Sequence, residues 1–194
     1  MELRRADLDP DPLRQFERWY VEAAAAQGWV ERTAVATADA DGRPSVRMAL
    51  LKSFDERGLV FFSHYTSRKG RELAVNPRAA LLLYWASLGR QVRVEGAVER
   101  VSAAESDAYF ATRPPAARIG AAASRQSEVL ASRDVLDVKV AELGGDEVVR
   151  PETWGGYRVV PDAWEFWQHR DDRLHDRFRY RRDGAAWVID RLYP

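Results

Sequence analysis

Residues 173–182, RLHDRFRYRR, concentrate arginine beside histidine in a chain whose positive and negative charges are otherwise equal in number. If this segment is extended, alternate side chains share one face of a strand. The cationic face would then comprise Arg173, His175, Arg177, Arg179 and Arg181. The aromatic residues that flank the segment are Trp164, Phe166, Trp167 and Trp187. Cations beside aromatic rings suit a planar, negatively charged ligand, whereas a solvated strand face is the alternative.

A second group of cations lies in the first half of the chain. Arg47 and Lys52 bound the run RMALLK, and Arg68 and Lys69 open a predicted helix, where backbone N–H groups also favour an anion. Together these four side chains could clamp a phosphate, although a structural role is equally open for each of them. Amides and a hydroxyl that suit a heterocycle edge or a phosphate occur in RQV at 90–92 and RQS at 125–127, where ordinary surface residues are the alternative.

The composition limits the functions that these residues could serve. The chain has 194 residues, with 30 Lys plus Arg against 30 Asp plus Glu. This length predicts one domain over residues 1–194, with a flexible N-terminus at 1–10. The charge balance argues against nucleic acid or an anionic membrane as a partner, and no segment approaches the roughly 18 apolar residues of a membrane span. Since the first residues lack the apolar run of a signal peptide, we expect a cytoplasmic protein.

Metal and thiol chemistry are not expected. The sequence contains no cysteine, which excludes disulfides, thiolate metal sites and a cysteine nucleophile. The three histidines, His64, His169 and His175, are scattered and lack the spacing of zinc ligands.

Short strand-like runs separated by turn signals must position the cationic residues. The predicted strands are 33–39, 45–55, 59–65, 79–86, 90–102, 155–170 and 178–194, the last with a hairpin at Asp183-Gly184. The predicted helices are 12–27, 67–75, 102–113 and 132–143, ended by Gly28, Asn76-Pro77, Pro114 and Gly144-Gly145. Six or seven short strands in mostly meander order predict a mainly β fold, an antiparallel β-barrel with peripheral helices.

Many segments in one order resemble a known family. They are RMALLKSFDERGLVFF, SRKGREL, NPRAALLLYW, RQVRVEGAVERVS, YFATRP, RQS, WGGYRV, EFWQ and the terminal RLHDRFRYRRDGAAWVIDRLYP. Together they resemble the pyridoxine/pyridoxamine 5'-phosphate oxidase family, collinearly from about Asp7 to Pro194. The resemblance implies an FMN-binding split barrel and a homodimer with FMN in two symmetric sites at the subunit interface.

The resemblance also implies roles for individual residues. The implied flavin-binding residues of one subunit are Arg47, Met48, Ala49, Leu50, Leu51, Lys52, Phe62, Ser63, Arg68, Lys69, Gln91, Trp167 and Arg177. Gln126 and Ser127 are implied to come from the partner subunit. The substrate phosphate would be bound by Lys52, Tyr109 and Arg113. Arg173 and His175 would cover the substrate pyridine ring and the carbon that is oxidised.

The implied activity is oxidation of pyridoxine or pyridoxamine 5'-phosphate to pyridoxal 5'-phosphate. A hydride leaves the 4' carbon for the flavin, and dioxygen then takes the electrons as hydrogen peroxide. Two alternatives stay open: a phenazine-biosynthesis FMN oxidase that acts on a dihydrophenazine carboxylate, and, ranked last, a non-catalytic barrel that binds flavin or pyridoxal phosphate.

Four positions depart from the family pattern on the substrate side. Ala117 stands where a serine is expected and Ala122 where a tryptophan is common. His169 and Arg170 replace glycines that usually follow the glutamine of EFWQ. The chain also begins without the additional N-terminal segment that closes over the substrate in the family, so no residue is assigned to a lid. We expect these changes to weaken phosphate binding and to reshape the pocket mouth, with the flavin-binding residues complete.

Overall fold

The computed structural model describes residues 2–144 and 148–194, and its centre is an antiparallel β-barrel. The strands are β1 (Arg32–Ala38), β2 (Pro44–Asp55), β3 (Gly58–His64), β4 (Arg78–Trp85), β5 (Arg90–Arg100), β6 (Trp154–Gln168), β7 (Asp176–Asp183) and β8 (Ala186–Leu192). They lie in the order β3-β2-β1-β4-β5-β6-β7-β8, and a further β3–β6 pairing closes the first six into a barrel. The predicted barrel is confirmed. The barrel itself has six strands, and the whole sheet has eight instead of six or seven because β7 and β8 are separate arms of the hairpin at Asp183-Gly184.

Strand β6 joins the barrel to the two additional strands. It pairs with β5 along its length, with β3 through residues 154–159 and with β7 through residues 163–168. The β5–β6 register shifts between Glu95 and Gly96. A Cβ atom on Gly96 would overlap the carbonyl oxygen of Val160 and lie 3.0 Å from the Cα atom of Pro161. Glycine therefore lets the two backbones approach where β6 leaves the barrel.

The core combines inward strand residues with one face of helix α1 (Pro12–Ala26). Strands β1, β4 and β5 alternate buried with less buried residues, as a half-buried strand should. Their fully buried side chains include Val35, Leu81, Leu83, Val92 and Val94. From α1, the ring of Phe16 lies 5.5 Å from Trp164 and that of Trp19 lies 5.2 Å from Phe166, measured between centroids. Burial of each such side chain contributes roughly 1.5–3 kcal/mol.

The other helices are α2 (Arg68–Val75), α3 (Ala103–Ala111), α4 (Pro115–Ala123) and α5 (Arg133–Glu142). Asp11, Ser67 and Ser102 cap their helices with side-chain oxygens. Helix α1 ends at Ala26, two residues before the predicted glycine stop. The stop predicted for α5 was Gly144-Gly145, of which Gly145 lies outside the described residues. Across 2–144 and 148–194, no helix has the length and apolar content that a bilayer crossing requires.

Helix α4 differs from the sequence prediction, which placed only a helix stop at Pro114. Pro115 occupies the first position of α4. Proline is well suited there, because the first turn of a helix leaves its N–H groups unpaired in any case. The proline pair therefore ends one helix and begins the next.

The N-terminal segment is packed against the barrel, in contrast to the flexibility expected for residues 1–10. Leu3 and Leu8 are buried. The backbone N–H of Leu3 donates to Oδ2 of Asp176 at 3.0 Å, and the hydroxyl of Tyr180 donates to the carbonyl oxygen of Asp9 at 2.7 Å. These contacts attach the segment to β7.

Candidate functional site

A cavity of about 410 Å³ opens between β2, β3 and helices α2, α3 and α4. The predicted site residues that line it are Met48, Ala49, Leu50, Lys52, Phe62, Ser63, Lys69, Tyr109, Arg113 and Gln126. Residues that the sequence did not single out for binding, but which also line it, are His64, Gly120, Ala121, Ser124 and Trp154. The two groups assigned to flavin and to substrate phosphate thus share one space. In contrast to its neighbours, Leu51 is buried in the core, so its side chain does not line the cavity.

Lys69 is the buried cation of this cavity. Its Nζ donates to Oγ of Ser63 at 2.8 Å and to Oε1 of Gln126 at 2.7 Å. Burial, with a further contribution from the charge of Arg47, lowers the pKa of Lys69 to about 8. Within one chain Gln126 lies against Lys69, and its assignment to the partner subunit's FMN stays a prediction. Ser127 is exposed with a φ of 75° and does not line the cavity.

Stacked aromatic rings form one wall of the cavity. The centroids of Phe62 and Tyr109 are 4.0 Å apart, and Trp154 lies 5.4 Å from Phe62 on a nearly parallel plane. The guanidinium of Arg113 lies 4.7 Å from the centroid of Trp154, and burial lowers its pKa. Its Nη1 is buried and has no hydrogen-bond partner among the residues described. An unpaired buried donor beside stacked rings suits a ligand that carries both an anion and a flat ring.

Arg47 and Arg68 lie beside the cavity instead of lining it, and Glu72 of α2 binds both. Oε1 of Glu72 accepts from Nε of Arg68 at 2.9 Å, and Oε2 accepts from Nη2 of Arg47 at 3.3 Å. The hydroxyls of Ser45 and Thr37 also donate to Oε2. Burial raises the pKa of Glu72, but these hydrogen bonds outweigh it and lower the pKa to about 2. Sequence reasoning missed Glu72, although its i,i+4 spacing from Arg68 was a usable signal.

The remaining flavin-assigned residues form a separate group, here called the cross-strand row: Gln91, Trp167 and Arg177. Gln91 of β5 is directly opposite Trp167 of β6, which is directly opposite Arg177 of β7. Residues paired in this way point to the same face of a sheet. None of the three lines the cavity.

The cavity and the cross-strand row occupy different parts of the surface of one chain. Trp154, which lines the cavity, and Trp167 of the row lie at opposite ends of the 15-residue strand β6. Across the sheet, Met48 of the cavity is on β2 and Gln91 of the row is on β5, with β1 and β4 between them. The residues assigned to flavin therefore form two separate groups in one chain.

Arg173 and His175 lie next to the cross-strand row, in the loop before β7. The imidazole of His175 is 4.6 Å from the ring of Trp167. The backbone N–H of Arg170 donates to its Nδ1 at 3.1 Å, so the neutral ring carries its hydrogen on Nε2. His169, one of the departures from the family pattern, lies 5.3 Å from His175 between centroids.

The extended conformation considered for residues 173–182 does not include the first three residues. Strand β7 begins at Asp176, and Arg173 has a φ of 65° at the end of a turn in which Leu174 N–H donates to Asp172. Within β7 the predicted alternation holds, because Asp176, Phe178 and Tyr180 are buried. Arg179 and Arg181 bind Asp190 of β8.

Comparisons with known proteins add independent evidence. A sequence model described as pyridoxamine 5'-phosphate oxidase matches residues 24–145, and one described as the pyridoxine 5'-phosphate oxidase C-terminal dimerisation region matches residues 154–194. Proteins named pyridoxine/pyridoxamine 5'-phosphate oxidase from Burkholderia cenocepacia and Rubrobacter xylanophilus are 56% and 57% identical to this chain. The alignments cover 99% and 96% of this chain, and 93% and 88% of those proteins.

Two solved structures share the fold. PhzG from Burkholderia lata, in complex with tetrahydrophenazine-1-carboxylic acid, is 37% identical with a TM-score of 0.93, over 100% of this chain and 98% of that chain. An FMN-binding protein from Nostoc punctiforme related to pyridoxamine 5'-phosphate oxidase is 17% identical with a TM-score of 0.77, over 95% and 98%, and supports the fold alone. The two matched regions, the sequence identities and the barrel together show that the chain belongs to the pyridoxamine 5'-phosphate oxidase family and has its split-barrel fold.

Proposed function

We propose that this protein is an FMN-dependent oxidase that converts pyridoxine or pyridoxamine 5'-phosphate to pyridoxal 5'-phosphate. The observation that carries the proposal is the cavity, in which Lys52, Tyr109 and Arg113 lie together with the cationic and aromatic residues assigned to flavin. The identity of 56% to named oxidases over nearly the whole chain supports the same substrate class. A cytoplasmic location stays a prediction from the sequence.

The residues present fit FMN. The FMN phosphate needs cations and hydroxyl or N–H donors, and Lys69 and Ser63 supply them in the cavity. A planar isoalloxazine needs apolar and aromatic surface, which Phe62 and the β2 segment provide. Arg47 is near enough to Lys69 to add positive charge, since its charge lowers the pKa of Lys69.

A homodimer would bring the two separated groups together. The surface between them carries Val46, Met48, Leu82 and Tyr84, here called the apolar strip, all exposed in the single chain. Cross-strand pairing connects the strip from β2 through Ala34 to β4, and Tyr84 is directly opposite Gln91 of the row. Residues 154–194, which include Trp167 and Arg177, match a dimerisation region. We infer that the cavity of one protomer faces the cross-strand row of its partner, with FMN between them.

The chain's own groups would position the substrate and polarise the reacting centre. Lys52 and Arg113 would hold the substrate phosphate, and the Nε2 hydrogen of His175 is available to donate to the ring substituents. Arg173 would add positive charge next to the reduced flavin, which carries additional negative charge. Bound FMN supplies the hydride acceptor, and dioxygen, which becomes hydrogen peroxide, is the final oxidant.

A phenazine-type oxidase is the second candidate, and the similarity to PhzG favours it. That protein is in complex with tetrahydrophenazine-1-carboxylic acid. In this chain, Ala117 lines the cavity where the family pattern expects a hydroxyl for the phosphate. Retention of Lys52, Tyr109 and Arg113 around the same cavity supports the phosphorylated substrate instead.

Substrate turnover tests the proposal directly. The purified protein should show the absorption of bound FMN and release hydrogen peroxide with pyridoxine or pyridoxamine 5'-phosphate. A dihydrophenazine carboxylate is the comparison substrate. If flavin is bound but only the phenazine compound is oxidised, the second candidate is correct. If flavin is bound and none of the three is oxidised, a non-catalytic binding role replaces both.

A further inference from the structure

We propose that Glu165 is a positioning residue that holds the guanidinium of Arg177 in the orientation needed to contact the cofactor. The inference rests on the proposed function, because it takes Arg177 as part of the FMN site. Neither the flavin nor the substrate assignment includes Glu165.

Glu165 is a buried carboxylate on the face of the sheet that carries the cross-strand row. It is 6% exposed, although it lies on the outer side of the barrel wall. Its Oε1 accepts from Nε of Arg177 at 2.8 Å, and its Oε2 accepts from Nη2 of Arg93 at 2.7 Å. A buried charge is costly unless it is paired, and here both oxygens are used. The carboxylate is therefore fixed between two arginines from the strands on either side.

The ion pair of Glu165 with Arg177 is diagonal between the two strands, although another arginine lies directly opposite Glu165. The residue directly opposite Glu165 on β7 is Arg179, not Arg177. Arg179 instead donates to Oδ2 of Asp190 at 3.1 Å. With Arg179 engaged by β8, Glu165 binds the diagonal neighbour, which is the arginine next to Trp167.

Arg177 is held at two of its three nitrogen atoms. Nε is bound by Glu165, and Nη1 donates to the carbonyl oxygen of Tyr193 at 3.0 Å. Within residues 2–144 and 148–194, Nη2 has no hydrogen-bond partner. A guanidinium fixed on two sides presents its third nitrogen in a defined direction, so little side-chain entropy is lost when it binds an anion or a carbonyl oxygen.

A positioning role and a purely electrostatic role of Glu165 predict opposite effects when its carboxylate is removed. If Glu165 acted only through its negative charge, its loss would leave more positive charge at the row, and the anionic reduced flavin would be favoured. If Glu165 positions Arg177, its loss frees the guanidinium, and the flavin loses a stabilising contact. Weaker FMN binding and a lower midpoint potential therefore indicate positioning.

The test compares Glu165→Gln with Glu95→Gln in the full-length protein. Oε1 of Glu95 also binds Nε of Arg93 at 2.8 Å. The side chain of Glu95 is 45% exposed, however, and it has no ion pair with Arg177 among the residues described. FMN affinity is measured from the quenching of flavin fluorescence, and the midpoint potential from dye-coupled reduction. We expect Glu165→Gln to weaken FMN binding about tenfold and to lower the potential, since it removes one charge-assisted hydrogen bond. Glu95→Gln should stay within twofold of the wild type.

A double-mutant cycle identifies the route of the effect. If Glu165 acts through Arg177, Glu165→Gln adds nothing in an Arg177→Gln background. Additive losses, unchanged or tighter FMN binding in Glu165→Gln, or a raised potential would each overturn the inference. Glu165→Asp covers the case in which Glu165→Gln fails to fold, because the shorter carboxylate keeps the charge but withdraws from Arg177, and it should weaken FMN binding likewise. A wild-type protein that binds no FMN would contradict the proposed function instead.

Discussion

At the scale of single residues, the cavity depends on charges whose state is set by burial. Lys69 has a pKa of about 8, because its ammonium is desolvated and lies near Arg47. Glu72, with a pKa of about 2, stays ionised at all physiological pH values. The positive charge of Lys69 can therefore change near neutral pH, whereas the negative charge of Glu72 cannot.

FMN affinity should fall as the pH rises through 8. Below that pKa Lys69 is protonated and attracts the phosphate, and above it the charge is lost. Between pH 7 and pH 9 the wild-type Kd for FMN should rise about tenfold, as expected if only the protein with protonated Lys69 binds FMN. Lys69→Arg keeps its charge over this range, so its Kd should stay constant. An equal rise in both proteins, measured by flavin fluorescence, would exclude Lys69 as the titrating group.

Restoring a hydroxyl at residue 117 should improve substrate binding. Ala117 lines the cavity on α4, and a hydrogen bond to a charged group is worth ~1.5–3 kcal/mol. Ala117→Ser should therefore lower the KM for pyridoxine 5'-phosphate by roughly tenfold or more, with the Kd for FMN unchanged. Ala116→Ser, on the exposed neighbouring residue, is the control. No difference between the two variants would show that the phosphate lies elsewhere.

At the scale of elements, local sequence signals predicted what local forces determine. The helices predicted at 12–27, 67–75 and 102–113 are present as α1, α2 and α3, because the signals that start and stop a helix act within its own residues. Strand β7 begins at Asp176, two residues before the predicted start at 178, and the extended conformation considered for 173–175 is replaced by a turn that depends on a side-chain contact of Asp172. The partners of Glu165 lie on two other strands, so no sequence spacing indicates them.

The bulge where β6 leaves the barrel should be intolerant of any side chain. A Cβ atom at Gly96 meets only backbone atoms of Val160 and Pro161, which cannot move aside independently of the strand. Gly96→Ala should therefore lower the free energy of unfolding by about 2 kcal/mol or more. Gly120→Ala, in α4 with no atom within 4 Å, should be neutral or stabilising. Thermal melting of both variants tests this, and equal melting temperatures would contradict it.

At the scale of the whole molecule, the proposed site takes its residues from two chains. The antiparallel barrel and its mostly meander order followed from the alternation of apolar residues and the turn signals. The separation of the cavity from the cross-strand row did not, because it depends on how far β6 extends and where it bends. The motifs named these residues without showing that they form two separate groups.

A charge in the apolar strip should separate the protomers and release FMN. Val46 is 68% exposed in the single chain and lies in the strip, while Val21 is equally exposed on α1. Val46→Lys should shift the mass measured by light scattering toward the monomer and reduce the FMN content. Val21→Lys should change neither. A wild-type monomer with stoichiometric FMN would rule out the shared site.

The positions of Trp154 and Trp167 at opposite ends of β6 have a genetic consequence. If each site takes its cavity from one protomer and its row from the other, two defective alleles can complement each other. A heterodimer of Lys69→Ala and Arg177→Ala protomers would contain one site with both defects and one with neither. Coexpressed with different tags and purified as the mixed species, it should hold about half the wild-type FMN, although each parent homodimer holds little. A mixed species as poor as both parents would mean that each chain builds its own site.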